Sequence, residues 1–260
     1  MPNRMKAIVA SLALAAATPA AAQAMTPEQE AMPNDEQLAM AAQNPVAAMI
    51  SIPFQDNVAF GVGPDKGVQN VLNIQPVIPL NLSRDRNLIT RTILPIVTQP
   101  SFTGGSSTTG LGNLVFTAFL SPGNPGALVW GAGPVATFPT ATSPLVGSQS
   151  TWGLGVLVNN VWSVAGASSN TFLLQYFVNY NFQSGWYLTT APIITANWEA
   201  SPGQKWVVPF GAGAGKIVWV GGLPFNCNVS AFVNAVKPDF GPTWSLRAQV
   251  TLLLPTSIFK

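Results

Sequence analysis

Only 8% of the 260 residues are charged, 48% are hydrophobic and none is histidine, far from a soluble globular composition with about 25% charged residues. Without imidazole, Ser-His-Asp and Cys-His nucleophile systems and histidine metal sites are excluded, and the single cysteine, Cys227, excludes an intramolecular disulfide. The formal net charge of +2 is no nucleic-acid signature, because Arg4 and Lys6 supply it and nine Lys and Arg face nine Asp and Glu beyond residue 22.

The chain opens with an export signal over residues 1–22. Arg4 and Lys6 form a basic start, residues 7–17 an apolar core, and Ala20-Ala21-Ala22 a small-x-small cleavage site before Gln23, with cleavage after Ala24 as the alternative. That core is too short to cross a bilayer, which takes about 20 apolar residues. Residues 23–48 read as a periplasmic linker, polar and acidic around Pro27 and Pro33. The spacing of Leu38, Ala42 and Val46 allows a short helix there, opened by Asn34 or Asp35 and limited by Pro45.

From residue 49 a two-residue period takes over, the mark of strands with one apolar and one polar face. Ile50, Ile52, Phe54, Val58, Phe60 and Val62 oppose Ser51, Gln55 and Asn57, with Asp56 as an exception on the apolar side. Leu72, Ile74, Ile78, Leu80 and Leu82 oppose Asn73, Gln75 and Asn81. Residues 87–99 are poorly phased, and Arg91 has no assignable face. Leu114, Phe116, Ala118 and Leu120 oppose Asn113 and Thr117; Leu128, Trp130, Ala132, Ala136 and Phe138 oppose Gly131, Gly133 and Thr137; Trp152, Leu154, Val156 and Val158 oppose Gly153, Gly155 and Asn159. The cleanest alternation sets Phe172, Leu174, Tyr176, Val178, Tyr180 and Phe182 against Thr171, Gln175, Asn179 and Asn181. Trp186, Leu188, Ile194, Ala196 and Trp198 follow against Thr189, Thr195 and Asn197. Three more segments run through Trp206 to Ala214, Phe225 to Val233 with Asn226, Asn228 and Asn234 opposed, and Leu246 to Leu254 with Arg247, Gln249 and Thr251 opposed.

Eleven such segments of roughly ten residues, separated by Gly, Pro, Asn and Asp turns, imply an all-β fold: a transmembrane, antiparallel, up-and-down outer-membrane β-barrel over residues 49–260. Bacterial single-chain barrels have an even strand number, so about 12 strands are expected, with ten as the alternative. Tryptophans such as Trp130, Trp162, Trp186, Trp219 and Trp244 fall mostly near segment ends, as interfacial girdles require. Within Gly211-Ala212-Gly213-Ala214-Gly215-Lys216 the spacing fails the phosphate-loop pattern, so small residues at a crowded lumen explain it better. Cys227 reads as a small apolar strand residue.

Several blocks resemble a known family. N-P-V-A-A-M-I-S-I-P-F-Q at Asn44 to Gln55, L-N-I-Q-P-V-I-P-L at Leu72 to Leu80, N-L-I-T-R-T-I-L-P at Asn87 to Pro95 and G-L-G-N at Gly110 to Asn113 carry its first half. W-G-A-G-P at Trp130, F-P-T-A-T at Phe138, W-G-L-G at Trp152, N-W-E-A at Asn197 and V-K-P-D-F-G-P-T-W-S-L-R-A-Q-V at Val236 complete it. Together they resemble the outer-membrane proteins grouped with the MetA pathway of phenol degradation, often labelled transporter or, misleadingly, neuromedin U. The resemblance implies a Gram-negative outer-membrane barrel with a role in uptake of small aromatic or hydrophobic compounds. One departure is the end of the last strand at Pro255, with Phe259 penultimate rather than final.

If the phase holds, the lumen is lined by Asn57, Asn73, Gln75, Asn113, Gln175, Asn179, Asn181, Thr195, Asn197, Asn226, Asn228, Asn234 and Gln249, with Arg247 as its well-phased charge. Such an amide-rich bore suits small uncharged or weakly hydrophobic solutes, aromatic ones among them; a non-conducting structural or interaction barrel is the alternative. The expected partners are outer-membrane lipid, the solute and the barrel-assembly machinery, without nucleic acid, cofactor, metal or enzymatic role. Mass spectrometry of protein purified from outer membranes is expected to find Gln23 as the first residue, or Met25 for the later cleavage. A mature chain retaining Arg4 would sink the leader assignment.

Overall fold

In a computed structural model the described residues are 8–11, 35, 38–39, 42, 49–122, 133–156, 160–165, 170–182 and 185–255. They form one sheet of seventeen strands. These are β1 (Ile8–Ser11), β2 (Met49–Val62), β3 (Gly67–Ile74), β4 (Val77–Asn81), β5 (Arg86–Gln99), β6 (Thr108–Leu111), β7 (Leu114–Pro122), β8 (Pro134–Phe138) and β9 (Trp152–Val156), followed by β10 (Asn160–Ala165), β11 (Asn170–Gln175), β12 (Phe177–Asn181), β13 (Trp186–Thr190), β14 (Ile193–Asn197), β15 (Trp206–Val220), β16 (Leu223–Val236) and β17 (Trp244–Pro255). The pairings are antiparallel, and the last strand, β17, runs against β2 from Trp244↔Phe60 to Pro255↔Met49. The cleavage site, the linker over residues 23–34, the segment around Leu128 and Trp130, and Phe259 lie outside the described residues. Ile8–Ser11, inside the expected leader, pairs with β12.

Several long strands are interrupted where the sequence removes a donor or adds a residue. Proline lacks an N–H, and breaks fall at Pro76 between β3 and β4 and at Pro192 between β13 and β14. Register is kept across the first break, since Phe54↔Ile74 and Ser51↔Val77 continue one ladder. Between β6 and β7 the register shifts by one residue, from Ile96↔Leu111 to Ile93↔Val115, which is a bulge. The Gly112 N–H finds the Pro95 carbonyl at 2.9 Å. The rest of the bulge is served by Thr140, whose Oγ1 accepts from Leu114 N–H at 2.8 Å and donates to the Gly112 carbonyl at 2.9 Å.

Burial follows the two-residue period inverted relative to a soluble protein. Large exposed hydrophobics such as Phe54, Leu154, Leu174, Leu188, Phe210, Val229, Val233 and Val250 occupy the apolar phase, while Asn179, Asn226, Ser230 and Thr251 on the other phase are buried. So continuous an exposed apolar surface marks an interaction or membrane face. Most aromatic pairs lie at one set of strand ends: Phe60 stacks on Trp244 with centroids 4.0 Å apart, Trp198 meets Trp206 edge-on at 5.4 Å, and Phe138 meets Trp152 at 5.5 Å, while Tyr180 and Phe182 pair at the other ends. At the opposite ends Trp186 lies under the Lys216 ammonium at 5.3 Å, as expected of a snorkelling cation in an aromatic belt. Cys227 sits on the apolar phase opposite Val250.

The strand the period overlooked is β10, which pairs with both β9 and β11. The poorly phased residues 87–99 turn out to be a single strand, β5. Its polar-phase side is itself apolar, with Ile89 and Val97 buried there, so no contrast between faces was available to read.

Asp56 and Asn70 both lie on the apolar phase, and the Asn70 Nδ2 donates to Asp56 Oδ1 at 2.6 Å. A carboxylate facing hydrocarbon is destabilising in a depth-dependent way. Replacing both partners by Val, which leaves neither unpaired, is expected to stabilise the refolded protein by about 1 kcal/mol, read as a higher urea midpoint. A lower midpoint would show that this pair does not face lipid.

Candidate functional site

The polar phase of β16, β17 and β2 carries a connected set of side chains. Arg247 and Asn57 are directly opposite one another across the β17–β2 ladder, and Arg247 Nε donates to Asn57 Oδ1 at 3.0 Å. Asn57 is itself fixed, accepting from Gln55 Nε2 at 3.2 Å and donating through Nδ2 to the Val71 carbonyl at 3.2 Å. Arg247 Nη1 donates to the carbonyl of Ala191 at 3.0 Å, and the guanidinium lies 4.9 Å from the centroid of the Phe232 ring.

The Ala191 contact says how the sheet is shaped. Ala191 precedes β14, which is separated from β17 by β15 and β16, or three strand spacings of about 4.8 Å each in a flat sheet. A single side chain reaches that far only where the sheet curls toward its polar face. Arg247 therefore runs along a chord of the concave side.

A second set surrounds Tyr187. Its hydroxyl donates to Asn226 Oδ1 at 2.8 Å, and both residues are buried. The Tyr187 ring covers Gly215, where a Cβ would overlap the ring; this gives the Gly-Ala-Gly-Ala-Gly run its reason, glycines on the crowded side and alanines on the apolar one. Lys216 ends that run within β15, in strand conformation rather than a phosphate-binding loop. Beside it Asn228 Nδ2 donates to the Ala214 carbonyl at 3.1 Å and Asn228 Oδ1 accepts from Ser230 Oγ at 2.9 Å. Gln249 Nε2 donates to Thr251 Oγ1 at 2.9 Å.

Against this surface pack residues from before the first long strand. Asp35, Leu38, Ala39 and Ala42 have helical backbone, at the spacing that puts an apolar stripe on one side. Leu38 and Ala39 are buried in a cluster with Tyr187, Ile217 and Leu253, flanked by Ala42 and Met49. The Asp35 carboxylate accepts from Trp219 Nε1 at 2.6 Å.

The remaining expected lining residues divide into two groups. Asn73, Gln75, Asn179, Asn181 and Thr195 are half-buried or buried on the polar phase, Gln175 is exposed on it opposite Ile193, and Asn113 is half-buried with its Oδ1 beside Gly147. Asn197 and Asn234 instead hold loops. Asn197 Oδ1 accepts from the Glu199 N–H at 3.1 Å, and Asn234 Nδ2 donates to the Pro242 carbonyl at 2.8 Å. The sequence did not place Arg91. Its strand puts it on the polar phase opposite Val77 and Thr117, where it donates to Gln75 Oε1. Tyr187 and Phe232 also escaped notice, although each shares the parity of a recognised polar neighbour, Thr189 and Asn234 respectively. Among the described residues no group of His, Cys, Asp or Glu is arranged to hold a metal.

A curled antiparallel sheet, oily outside and lined with amides within, is the arrangement of an outer-membrane β-protein. Among solved structures the chain is similar to the crystal structure of the COG4313 outer membrane channel from Pseudomonas putida F1, with a TM-score of 0.58 and 15% identity over 89% of this chain and 100% of that chain. This likeness is one of fold, and it agrees with the outer-membrane resemblance carried by the sequence blocks. No protein-family model and no curated protein matches the chain.

Substituting Phe for Tyr187 strands the buried Asn226 acceptor, which is expected to cost about 1–3 kcal/mol in urea unfolding of the refolded protein. Parental stability would mean that Asn226 is satisfied without the tyrosine.

Proposed function

We propose that residues 49–260 close into a twelve-stranded outer-membrane barrel and form a channel for small uncharged or weakly hydrophobic solutes, aromatic ones included, after an export leader over residues 1–22 is removed. The observation that carries this reading is the polar concave face crossed by Arg247, backed by an apolar outer face. Closure is supported by the succession of pairs, since β17 joins β2 and β9 joins β10. Twelve crossings follow when β3 with β4, β6 with β7, β11 with β12 and β13 with β14 are each counted as one interrupted strand and β1 is set aside with the leader. The barrel-assembly machinery and outer-membrane lipid are the partners this reading entails.

In such a barrel the lining is mostly neutral. Away from Arg91 and Arg247, amides and hydroxyls engaged with one another leave little field to hold an ion, and a solute without charge crosses with a small desolvation cost. The second reading, a non-conducting barrel, is favoured by the cluster of Leu38 and Ala39 on Tyr187, Ile217 and Leu253, because a helix seated there narrows the bore at the end where β17 finishes and β2 begins. The two readings separate in liposome swelling and planar-bilayer recordings. The parent protein is expected to admit small neutral solutes slowly, and Leu38→Asp, which expels the helix from its apolar seat, to raise conductance at least about twofold by widening the path. No flux in either protein would leave the non-conducting barrel as the function.

A further inference from the structure

We infer that Arg247 is a docking point for the carboxylate of a small apolar acid, a solute class beyond the neutral compounds proposed above; the inference rests on reading the concave polar face as a lumen.

Guanidinium carries five N–H donors in a planar fork. In Arg247 the described acceptors are the side-chain oxygen of Asn57 at Nε and the Ala191 carbonyl at Nη1. Both are neutral, so they orient the group without cancelling its charge. The donors left over are all on the two terminal nitrogens, the edge that engages a carboxylate in a bidentate manner. One face of the plane is taken by Phe232 at 4.9 Å, and that buried ring lowers the local dielectric and strengthens any ion pair formed beside it.

The fork is also held in place before a ligand arrives. Asn57 cannot rotate freely because Gln55 and the Val71 carbonyl occupy its amide, and Ala191 sits at the break before Pro192, where the chain leaves the ladder and its carbonyl is free to turn inward. Pre-positioning of this kind reduces the ordering cost of binding. The surroundings set the rest of the ligand: Phe232 and the Ala191-Pro192 corner are apolar, and the other polar groups nearby are uncharged. A carboxylate on an aromatic or short aliphatic body fits this combination, whereas a cation or a polyanion does not. Arg91, with Gln75 as its described partner, adds a second positive charge on the same phase and favours anion entry in general without offering the aromatic seat.

Benzoate is the probe. The test uses the full mature chain in detergent micelles, with the fluorine NMR line width of 4-fluorobenzoate as the binding readout and unlabelled benzoate as competitor. The parent is expected to broaden the line and to be competed. Arg247→Gln should weaken binding at least about tenfold, and Arg247→Lys, which keeps the charge and loses the fork, should weaken it to an intermediate degree. Lys216→Gln, which removes a cation from the outer face, should leave binding unchanged. Should Arg247→Gln fail to refold, judged by the heat-dependent gel shift of folded barrels, the Lys variant and competition on the parent decide the matter. Absence of competable broadening by the parent, or equal affinity in the parent and the Arg247 variants, overturns the inference. Binding is read without conduction, so benzoate bound by a protein that passes no solute would overturn the channel reading alone.

Discussion

Hydrocarbon offers no hydrogen bonds, so every backbone N–H and C=O that enters the membrane must be paired within the chain. The architecture can be derived largely from that constraint. Antiparallel ladders meet it for most residues, and the points where the sequence obstructs the ladder show how strictly it is obeyed. Pro53, Pro76 and Pro95 each remove a donor from adjoining strands. Their carbonyls nevertheless remain engaged, by Gln75 N–H at 2.9 Å, Thr92 N–H at 3.1 Å and Gly112 N–H at 2.9 Å respectively. At the bulge that follows, Thr140 supplies one acceptor and one donor in place of the missing partner strand, and Thr142 does the same for Leu111 through its Oγ1 and its own N–H, both at 3.0 Å.

The same constraint explains the inverted burial. Once the backbone is paired, the side chains on the lipid face need only be apolar, and polar groups on the concave face must find partners among themselves. They do so in short local links, Tyr187 with Asn226, Ser230 with Asn228, Gln249 with Thr251 and Arg91 with Gln75. A concave face built this way is crowded, and glycine at 213 and 215 on β15 is what lets the Ser230 and Tyr187 side chains lie against that strand. The residues around Leu38 pack onto this same crowded face, against Tyr187, Ile217 and Leu253.

Alternation was legible in the sequence wherever the two faces differed in chemistry. Thr171 to Phe182, Leu246 to Leu254 and Phe225 to Val233 were readable because polar residues oppose hydrophobes at most steps. β5 was not, because Ile89 and Val97 on its inner face resemble the residues on its outer face, and that uniformity hid Arg91. β10 was lost for a different reason: in Asn160–Ala165 neither parity is uniform, since polar Asn160 shares the phase of Trp162 and Val164 while apolar Val161 shares that of Ser163. Three-dimensional convergence was legible nowhere. That Arg247 meets Asn57 follows from the β17–β2 register, but its contact with Ala191 depends on curvature, which no local pattern encodes.

The blocks that carry the family resemblance can be sorted by what their residues do. Gly110 to Asn113 and Phe138 to Thr142 are the two sides of one device, the bulge and the threonines that satisfy it. In Asn197 to Ala200 the asparagine caps a turn, and in the Lys237 to Pro242 loop the Asp239 N–H donates to Gln204 Oε1 at 2.6 Å while Gln204 Nε2 donates to Asp239 Oδ2 at 3.0 Å, locking two loops together. These blocks maintain backbone pairing and loop geometry, tasks that a curled sheet of this shape requires whatever its role. Two contacts stand apart. Gln75 and Arg91 join the second block to the third, and Arg247 in the last block meets Asn57 and Ala191 with donors to spare. Neither guanidinium is required to pair a strand, and an uncompensated charge in so crowded an interior is costly to retain. A structural role would be filled as well by an amide of the kind already abundant on this face.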